Sequence, residues 1–156
     1  MPTTPMTPGG HEKLHKQLRH LREVERPKNV RDIELALEHG DLRENAEYHA
    51  AKERQGHIDG QLKWLESLIA TAQIINPATL SGDRVIFGAT VTLIDGDDEK
   101  VRYQIVGEHE SDLPQGLISY ASPLARALIG KSEGDEISVQ TPGGRRTYEI
   151  ESVEFP

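Results

Sequence analysis

A heptad pattern between residues 48 and 72 constrains the fold of this chain more than any other feature. Its apolar positions recur at alternating steps of three and four, and one polar residue, Gln55, interrupts them. These positions are Tyr48, Ala51, Ile58, Leu62, Leu65, Ile69 and Ala72. Such a seam is typical of a helix that packs along a second helix in a coiled coil. The pattern therefore predicts a long helix with a helical partner.

An earlier segment supplies this partner. Its apolar residues fall into two groups with the same steps, Leu14, Leu18 and Leu21 followed by Val30, Ile33 and Leu37. Pro27 lies between the groups, and proline lacks a backbone N–H and clashes with the preceding turn. We therefore expect a kink or a register shift near Pro27 rather than two separate helices. Thr7-Pro8 is typical of a helix start, and Gly40 is typical of the residue that follows a helix end.

Together the two segments predict an antiparallel helical hairpin. The first helix is expected over residues 8–39, and the second is expected to begin at Leu42 and to end before Asn76. The turn between them is too short for any packing other than antiparallel. At 1.5 Å per residue each arm would be roughly 45 Å long. That length exceeds what a compact domain of this size needs.

The pattern changes near Asn76, where heptads give way to alternation and turns, which predicts two domains, residues 1–76 and 77–156. Strands are expected at 84–86, 89–94, 101–106, 117–119, 137–141 and 147–153 because β-branched residues alternate there. Turns are expected at 96–99 and 142–144. Ser122-Pro123 is expected to open a short helix over 124–129, which Gly130 would end. The predicted fold class is α+β, a helical hairpin followed by an antiparallel sheet with one short helix.

Charge and composition exclude several functions. The net charge is −8 in total, −1 over residues 1–75 and −7 over residues 76–156. This balance argues against autonomous binding to DNA or RNA and favours a partner with a basic surface. The absence of cysteine excludes disulfides, thiol catalysis and thiolate zinc sites. No apolar run approaches the roughly 18 residues of a membrane span, and no signal-peptide core is visible, so we expect a cytoplasmic protein without membrane contact.

Two carboxylates, Asp41 and Glu44, lie at the predicted turn of the hairpin. One interpretation is a capping box, in which they satisfy free amides at the start of the second helix. The other is a binding site, because Glu38 and Glu47 add two further acids and the repulsion favours a cation or a partner. Magnesium prefers six oxygen ligands, so two carboxylates make only half a site. A partner's acidic groups and a nucleic-acid phosphate would have to complete it.

Four separated motifs carry a family resemblance. They are EHGDLRENAEYHAAK at 38–52, VIFGATV at 85–91, SPLARALIGK at 122–131 and TPGG at 141–144. In this order they resemble the Gre transcript cleavage factors of bacteria, in particular the GreA branch, and the similarity covers nearly the whole chain. The resemblance implies a coiled-coil hairpin and a C-terminal FKBP-like domain. It also implies a function, which is to rescue backtracked RNA polymerase by stimulating the polymerase's own cleavage of the RNA 3′ end.

The resemblance also implies roles for individual residues. Asp41 and Glu44 become the catalytic acids, donated to the polymerase active site to help retain a shared Mg²⁺ and to position the attacking water. Asn45 and Tyr48 would support the tip, although Tyr48 also lies on the heptad seam, where packing is the favoured role. The isolated chain is expected to hold no Mg²⁺ tightly, to have no nuclease activity and to be a monomer.

Other residues have weaker assignments. Arg43, Lys52 and Arg54 would contact RNA or polymerase, and ordinary solvated helix charge is the alternative. Ser122 and Pro123 would dock on the rim of the polymerase secondary channel, and helix capping is the alternative.

A histidine pair on the first helix is a further candidate. His11 and His15 are four residues apart, a spacing compatible with a metal ion, but no third ligand is near in the sequence. A solvated helix face is the expectation for this pair.

Three other functions remain open. The hairpin could be an inhibitor that fills the secondary channel, which would not need the acid pair. The FKBP-like architecture alone suggests a peptidyl-prolyl isomerase, but fold does not carry function. A plain coiled-coil adaptor would tolerate loss of both tip acids.

Overall fold

The computed structural model describes residues 3–40 and 45–156. These residues divide into two compact units. The first, the hairpin unit, spans His11–Ala72, and the second, the sheet unit, combines Thr3–Gly10 with Gln73–Pro156. The sequence analysis placed the whole N-terminal segment with the hairpin. The structure instead assigns residues 3–10 to the sheet unit.

A short sheet explains this assignment. Strand β1 (Thr4–Met6) pairs with strand β2 (Ala72–Ile74), and the N–H of Ile75 donates to the carbonyl of Met6 at 2.9 Å. The Met6 side chain is buried. Neither strand was predicted, whereas the expectation that the second helix ends before Asn76 is confirmed, since the helix ends at Ala70. Ala72, the last residue of the heptad pattern, lies in β2 and not in the helix.

A glutamate joins the start of the first helix to the sheet unit. The carboxylate of Glu110 accepts hydrogen bonds from the Thr7 N–H and hydroxyl and, at 2.8 Å, from the Gly107 N–H. The Thr7 hydroxyl in turn accepts from the Gly10 N–H at 3.1 Å. Since charge-assisted hydrogen bonds are among the stronger ones, this carboxylate anchors the N-terminal segment.

The first arm of the hairpin is helical from Pro8 to Leu37. It consists of α1 (Pro8–His20), a π-helical segment (Leu21–Glu25) and α2 (Arg26–Leu37). Pro27 lies in the first turn of α2, directly after the π-helical segment. Proline cannot donate to the carbonyl four residues earlier, and a wider local turn accommodates this loss. The predicted register shift near Pro27 is confirmed.

The size of this shift was not foreseen. The buried residues of the arm are Leu14, Leu18, Asn29 and Ala36. The prediction that Val30 and Leu37 lie on the seam was wrong, since their side chains are 41% and 46% exposed, while Ile33 is half-buried. A π-helical turn accommodates one extra residue. The seam therefore moves by one position, and Asn29 replaces Val30.

The second arm follows its heptad prediction closely. Helix α3 (Ala46–Ala70) buries Ala51, Ile58, Leu62 and Leu65. The expected start at Leu42 was wrong, because Asn45 is the N-cap residue. Within residues 3–40 and 45–156, none of the helices combines the length and the apolar character that a membrane span requires.

The sheet unit contains a five-stranded sheet with the order β5-β4-β3-β7-β6. Its strands are β3 (Thr90–Ile94), β4 (Lys100–Val106), β5 (Leu117–Ser119), β6 (Glu136–Thr141) and β7 (Gly144–Glu154). Neighbouring strands are antiparallel except β4 and β5, which are parallel. The prediction of a wholly antiparallel sheet was therefore wrong at one edge, whereas the α+β class is confirmed.

The core of the sheet unit lies between the sheet and helix α4 (Pro123–Leu128). Its fully buried members include Val85, Ala89, Val91, Leu93, Ile105, Ala125, Leu128 and Ile150. The strand expected at 84–86 is absent from the described fold: Arg84 forms only an isolated bridge with Ser132. The Val85 N–H still donates to the Lys131 carbonyl at 2.7 Å. This segment closes the core without joining the sheet.

Candidate functional site at the hairpin tip

The predicted site lies where the two arms meet. Asp41, Arg43 and Glu44 belong to residues 41–44, here called the tip segment, and lie outside the described residues. The structure describes the residues on both sides of this segment. These flanking residues show how the first arm ends and how the second arm begins.

The first arm ends in a tightened turn. The N–H groups of Glu38, His39 and Gly40 donate to carbonyls three residues earlier, at 3.2, 3.1 and 3.4 Å. Gly40 then has φ +97°, a left-handed conformation that side chains with a Cβ rarely adopt. The prediction that Gly40 follows the helix end is confirmed. The backbone turns away from the helix axis immediately before Asp41.

Asn45 links the two arms on the other side of the tip segment. Its Oδ1 accepts a hydrogen bond from the Tyr48 N–H at 3.0 Å, which caps helix α3. Its Nδ2 donates to the Ala36 carbonyl at 2.6 Å, in the last turn of α2. One side chain therefore satisfies a free amide of the second arm and adds a second hydrogen bond to a carbonyl of the first arm, which also accepts from the His39 N–H.

This geometry tests the capping-box interpretation of the acids. A capping box requires its first residue at the N-cap and its acid at the third helical position. The N-cap of α3 is Asn45, not Asp41, so the capping-box interpretation was wrong. The two acids precede the helix and are not needed to satisfy its first amides through this motif.

Tyr48 supports the tip through its backbone and packs with its side chain. Its N–H completes the Asn45 cap, while its ring is half-buried on the seam and meets the His49 ring edge-to-face at 5.7 Å between centroids. A further contact crosses the ends of the arms: His39 Nε2 lies 3.7 Å from a carboxylate oxygen of Glu47. Both of these side chains are exposed, so this pair contributes little to stability.

The two described candidate cations have partners within the hairpin. Lys52 Nζ donates to Oε1 of Gln55 at 2.8 Å, and Arg54 bonds to the Glu25 carboxylate of the opposite arm at 3.0 Å. The hydrogen bonds from Arg54 and, second, from His20 hold the pKa of Glu25 below its ordinary value of 4.5. Arg54 therefore has a role in joining the arms that the sequence analysis did not anticipate.

The donor set at the tip suits magnesium only in part. Carboxylate oxygens are the ligands this ion prefers, but Asp41 and Glu44 supply two groups for six positions. Among the residues that the structure describes, no group of three or more His, Asp or Glu side chains is arranged to hold a metal ion. The two acids fit the ion as a half-site that needs ligands from elsewhere.

The predicted docking residues lie at the start of α4. The Ser122 hydroxyl accepts a hydrogen bond from the Ala125 N–H at 3.2 Å, which caps the helix, and Pro123 occupies its first turn and is exposed. The capping interpretation is confirmed for Ser122. Docking at Pro123 stays a prediction.

The sequence analysis missed one buried polar residue of the hairpin. Asn29 is 3% exposed, and its Nδ2 donates to the Ala51 carbonyl at 2.9 Å across the two arms. A single buried asparagine in a coiled coil fixes the register of the helices. Its signal in the sequence was an asparagine directly before Val30, the first apolar residue of the second group, and this signal can be interpreted only when the π-helical segment is known.

Comparisons with known proteins cover both units. The family model "Transcription elongation factor, N-terminal" matches residues 4–74, and "Transcription elongation factor, GreA/GreB, C-term" matches residues 80–155. The transcription elongation factor GreA of Anaeromyxobacter sp. (strain K) is 56% identical over 156 residues, covering 99% of this chain and 94% of the relative. GreA of Brucella anthropi is 57% identical over 152 residues and 97% of both chains. Among solved structures, GreA factor homolog 1 of Thermus thermophilus is 28% identical, with a TM-score of 0.45 and coverage of 98% and 99%.

Proposed function

Because this chain belongs to the GreA/GreB family of transcription elongation factors, we propose that it restarts backtracked RNA polymerase by stimulating cleavage of the RNA 3′ end. The hairpin enters the secondary channel of the polymerase, and the tip segment delivers Asp41 and Glu44 to its active site. The observation that carries the proposal is Asn45, which ties both arms together beside these acids. The chain acts as an accessory factor, and the nuclease activity belongs to the polymerase.

The dimensions of the hairpin support this delivery. The first arm is helical for 30 residues, from Pro8 to Leu37. At 1.5 Å per residue this corresponds to about 45 Å. An arm of this length carries the tip acids deep into a channel while the rest of the protein stays outside. Without a cation or a partner the acid pair would be destabilising, because Glu38 and Glu47 lie close to it in the sequence and their negative charges would repel it.

The chemistry assigned to the chain is binding and orientation. Asp41 and Glu44 contribute carboxylate oxygens to a Mg²⁺ site that the polymerase and the RNA phosphate complete. When bound, the ion activates a water and offsets charge at the leaving oxygen. The acids would orient a water for attack on the phosphate, and orientation of this kind accounts for a large part of a rate enhancement.

Docking is assigned to the sheet unit. Residues 76–156 carry a net charge of −7, which suits a basic rim on the partner. The exposed Pro123 and the α4 start at Ser122 are the proposed contact with the rim of the secondary channel. Arg43 and Lys52 are proposed to contact the nascent RNA or the polymerase. The factor works in the cytoplasm and is a monomer when free.

The test is transcript cleavage in a backtracked bacterial elongation complex with Mg²⁺. The Asp41→Asn, Glu44→Gln double variant keeps the size of both side chains and is expected to lose stimulation while retaining binding to polymerase. The matched control, Glu38→Gln with Glu47→Gln, removes the same charge beside the tip segment and is expected to keep most of the stimulation. Equal loss in both variants would show that general negative charge, not a ligand pair, is responsible.

The competing functions make different predictions in the same assay. An inhibitor would slow nucleotide addition and stimulate no cleavage, and an adaptor would tolerate the double variant. The isomerase alternative has little support, because Phe87, Tyr103, Tyr120, Tyr148 and Phe155 pack against the hydrophobic core of the sheet unit. A prolyl-isomerisation assay with the full chain is expected to show no catalysis.

A further inference from the structure

Two histidines on α1 direct their side chains at each other. His11 and His15 are one helical turn apart, and their Nε2 atoms are separated by 3.2 Å. The ring centroids lie 4.5 Å apart with an interplanar angle of 79°. Both side chains are half-buried on the face of the helix that also carries Leu14 and Leu18. The expectation of a solvated helix face was therefore wrong.

The segment also has the form H-E-x-x-H, residues 11–15. In zinc proteases this pattern supplies two ligands and a general base on one helix. A protease site needs a third ligand, and in the part of the chain that the structure describes no third His, Asp or Glu joins the pair. Glu12 is exposed and lies 3.5 Å from Lys16 Nζ. The segment is consequently not a protease site, and what it offers is two imidazoles.

The separation of the two nitrogens suits a shared cation. With bonds of about 2.0–2.1 Å, two nitrogens on one tetrahedral ion are roughly 3.4 Å apart, and two adjacent nitrogens on an octahedral ion roughly 2.9 Å. The observed 3.2 Å lies between these values. The alternative is a direct N–H···N hydrogen bond, for which one ring must present its protonated Nε2 to the other.

We propose that His11 and His15 form a two-imidazole site for Zn²⁺, Ni²⁺ or Cu²⁺, with water in the remaining positions. Imidazole suits these ions, whereas Mg²⁺ prefers oxygen ligands, so the ion of the proposed function does not compete. With two protein ligands the affinity is expected to lie well below that of a four-ligand structural site. The bound ion bridges two successive turns near the start of α1 and stabilises them.

This site is separate from the tip. Along the helix, the end of the arm at Leu37 lies 22 residues beyond His15, which corresponds to about 33 Å. A metal ion at this pair contacts neither the tip segment nor the Asn45 link. Its binding and the cleavage activity are therefore measured independently, and failure of one does not imply failure of the other.

The experiment is a calorimetric titration of the full-length protein, without a polyhistidine tag, with ZnCl₂ and NiCl₂ and separately with MgCl₂. We expect one Zn²⁺ or Ni²⁺ per chain and no competition from Mg²⁺. His11→Gln and His15→Gln are each expected to weaken binding by at least roughly tenfold, since even residues that only orient a metal ligand have effects of that size. The control, His57→Gln, removes a histidine whose neighbour one turn away is Glu53, and it is expected to bind like the wild type.

Circular dichroism and thermal melting complete the test. All three variants are expected to keep the helical content of the wild type. Only the wild type and the His57→Gln control are expected to melt at a higher temperature when Zn²⁺ is added. Binding that survives loss of either His11 or His15 would overturn the site. A wild type that shows no metal-dependent rise, together with His11→Gln and His15→Gln variants that melt lower without metal, would show that the pair is a hydrogen bond and not a metal site.

Discussion

Replacement of Asn45 is the sharpest test of how the hairpin holds its tip. Removing the cap of α3 costs about 1 kcal/mol, and removing the hydrogen bond to the Ala36 carbonyl costs about 0.5–1.5 kcal/mol. Asn45→Ala loses both, about 1.5–2.5 kcal/mol. Asn45→Ser keeps a capping oxygen and loses only the donor to Ala36. Asn45→Asp keeps the shape and the cap, but it places a carboxylate oxygen where the amide nitrogen now lies 2.6 Å from a carbonyl oxygen.

The structure therefore predicts an order of stability in which the wild type is highest, followed by Asn45→Ser and then by Asn45→Ala. Asn45→Asp is expected below the wild type despite the favourable interaction of a carboxylate with the helix N-terminus. Hydrogen exchange of the Tyr48 amide reports the cap directly, and urea unfolding followed by circular dichroism reports the hairpin. In the cleavage assay the three variants are expected to reduce the maximal rate about tenfold or more, since small misplacements of catalytic groups have effects of this size. The concentration for half-maximal stimulation is expected to change little.

The maximal cleavage rate reports how well the tip is positioned, and the concentration for half-maximal stimulation reports how well the protein binds polymerase. Measuring both therefore distinguishes the two roles of Asn45. A variant that raises the half-saturating concentration and leaves the maximal rate unchanged would place Asn45 in polymerase binding. If the Asn45→Ala variant protected the Tyr48 amide from exchange as well as the wild type does, and also stimulated cleavage as well, the assignment of Asn45 as the link between the arms would be refuted.

Three further predictions follow from particular contacts. Ile58→Asp places a charge in the buried seam and is expected to lower the free energy of unfolding of the hairpin by more than about 3 kcal/mol. The control, Gln61→Asp on the exposed face of the same helix, is expected to change it by less than about 0.5 kcal/mol. Urea unfolding measures both variants. Glu110→Gln weakens the acceptor for three donors and is expected to cost about 1–3 kcal/mol, visible as faster exchange of the Thr7 amide, and unchanged exchange would contradict the anchoring role. The pKa of Glu25 is lower in the folded state, so its contribution is present above the unfolded pKa near 4.5 and is lost as the pH falls through the lower folded value. Glu25→Gln is therefore expected to be less stable than the wild type at pH 7 and equally stable at pH 2, and a difference that persists at pH 2 would refute the ion-pair explanation.

The sequence alone specified the second arm well and the first arm only in part. Helix α3 has a heptad pattern that only Gln55 interrupts, so period and partner could both be predicted. In the first arm Val30, Ile33 and Leu37 have correct heptad steps among themselves, but the π-helical segment before Pro27 changes which face they occupy. The sequence pattern shows the spacing of the apolar residues within each group. It does not show how far one group is rotated about the helix axis relative to the other. Only the packed hairpin shows that Asn29 and not Val30 is buried.

The half-site at Asp41 and Glu44 stays a prediction, which rests on the sequence and on the coordination preference of magnesium. The geometry beside it was predicted only in part. A cap at Asp41 was one of two interpretations, because Glu44 follows at the right spacing, yet Asn45 provides the cap. Asparagine is as good an N-cap residue as aspartate. What distinguishes the two is the carbonyl of Ala36, a contact across the hairpin that no local pattern encodes.

The two halves of the hairpin are stabilised by different interactions, and this difference bears on the tip. Toward the base, leucine and isoleucine side chains fill the seam, and their burial contributes about 1.5–3 kcal/mol each but has no direction. Toward the tip the buried positions are Asn29, Ala36 and Ala51, which bury little area and border a groove of about 440 Å³ between the arms. Here the arms are joined by hydrogen bonds from Asn29 to the Ala51 carbonyl and from Asn45 to the Ala36 carbonyl. Hydrogen bonds depend steeply on angle, so they fix rotation and register where apolar contacts tolerate both. The base of the hairpin thus provides stability, and the distal half provides the fixed geometry that the proposed donation of two ligands requires.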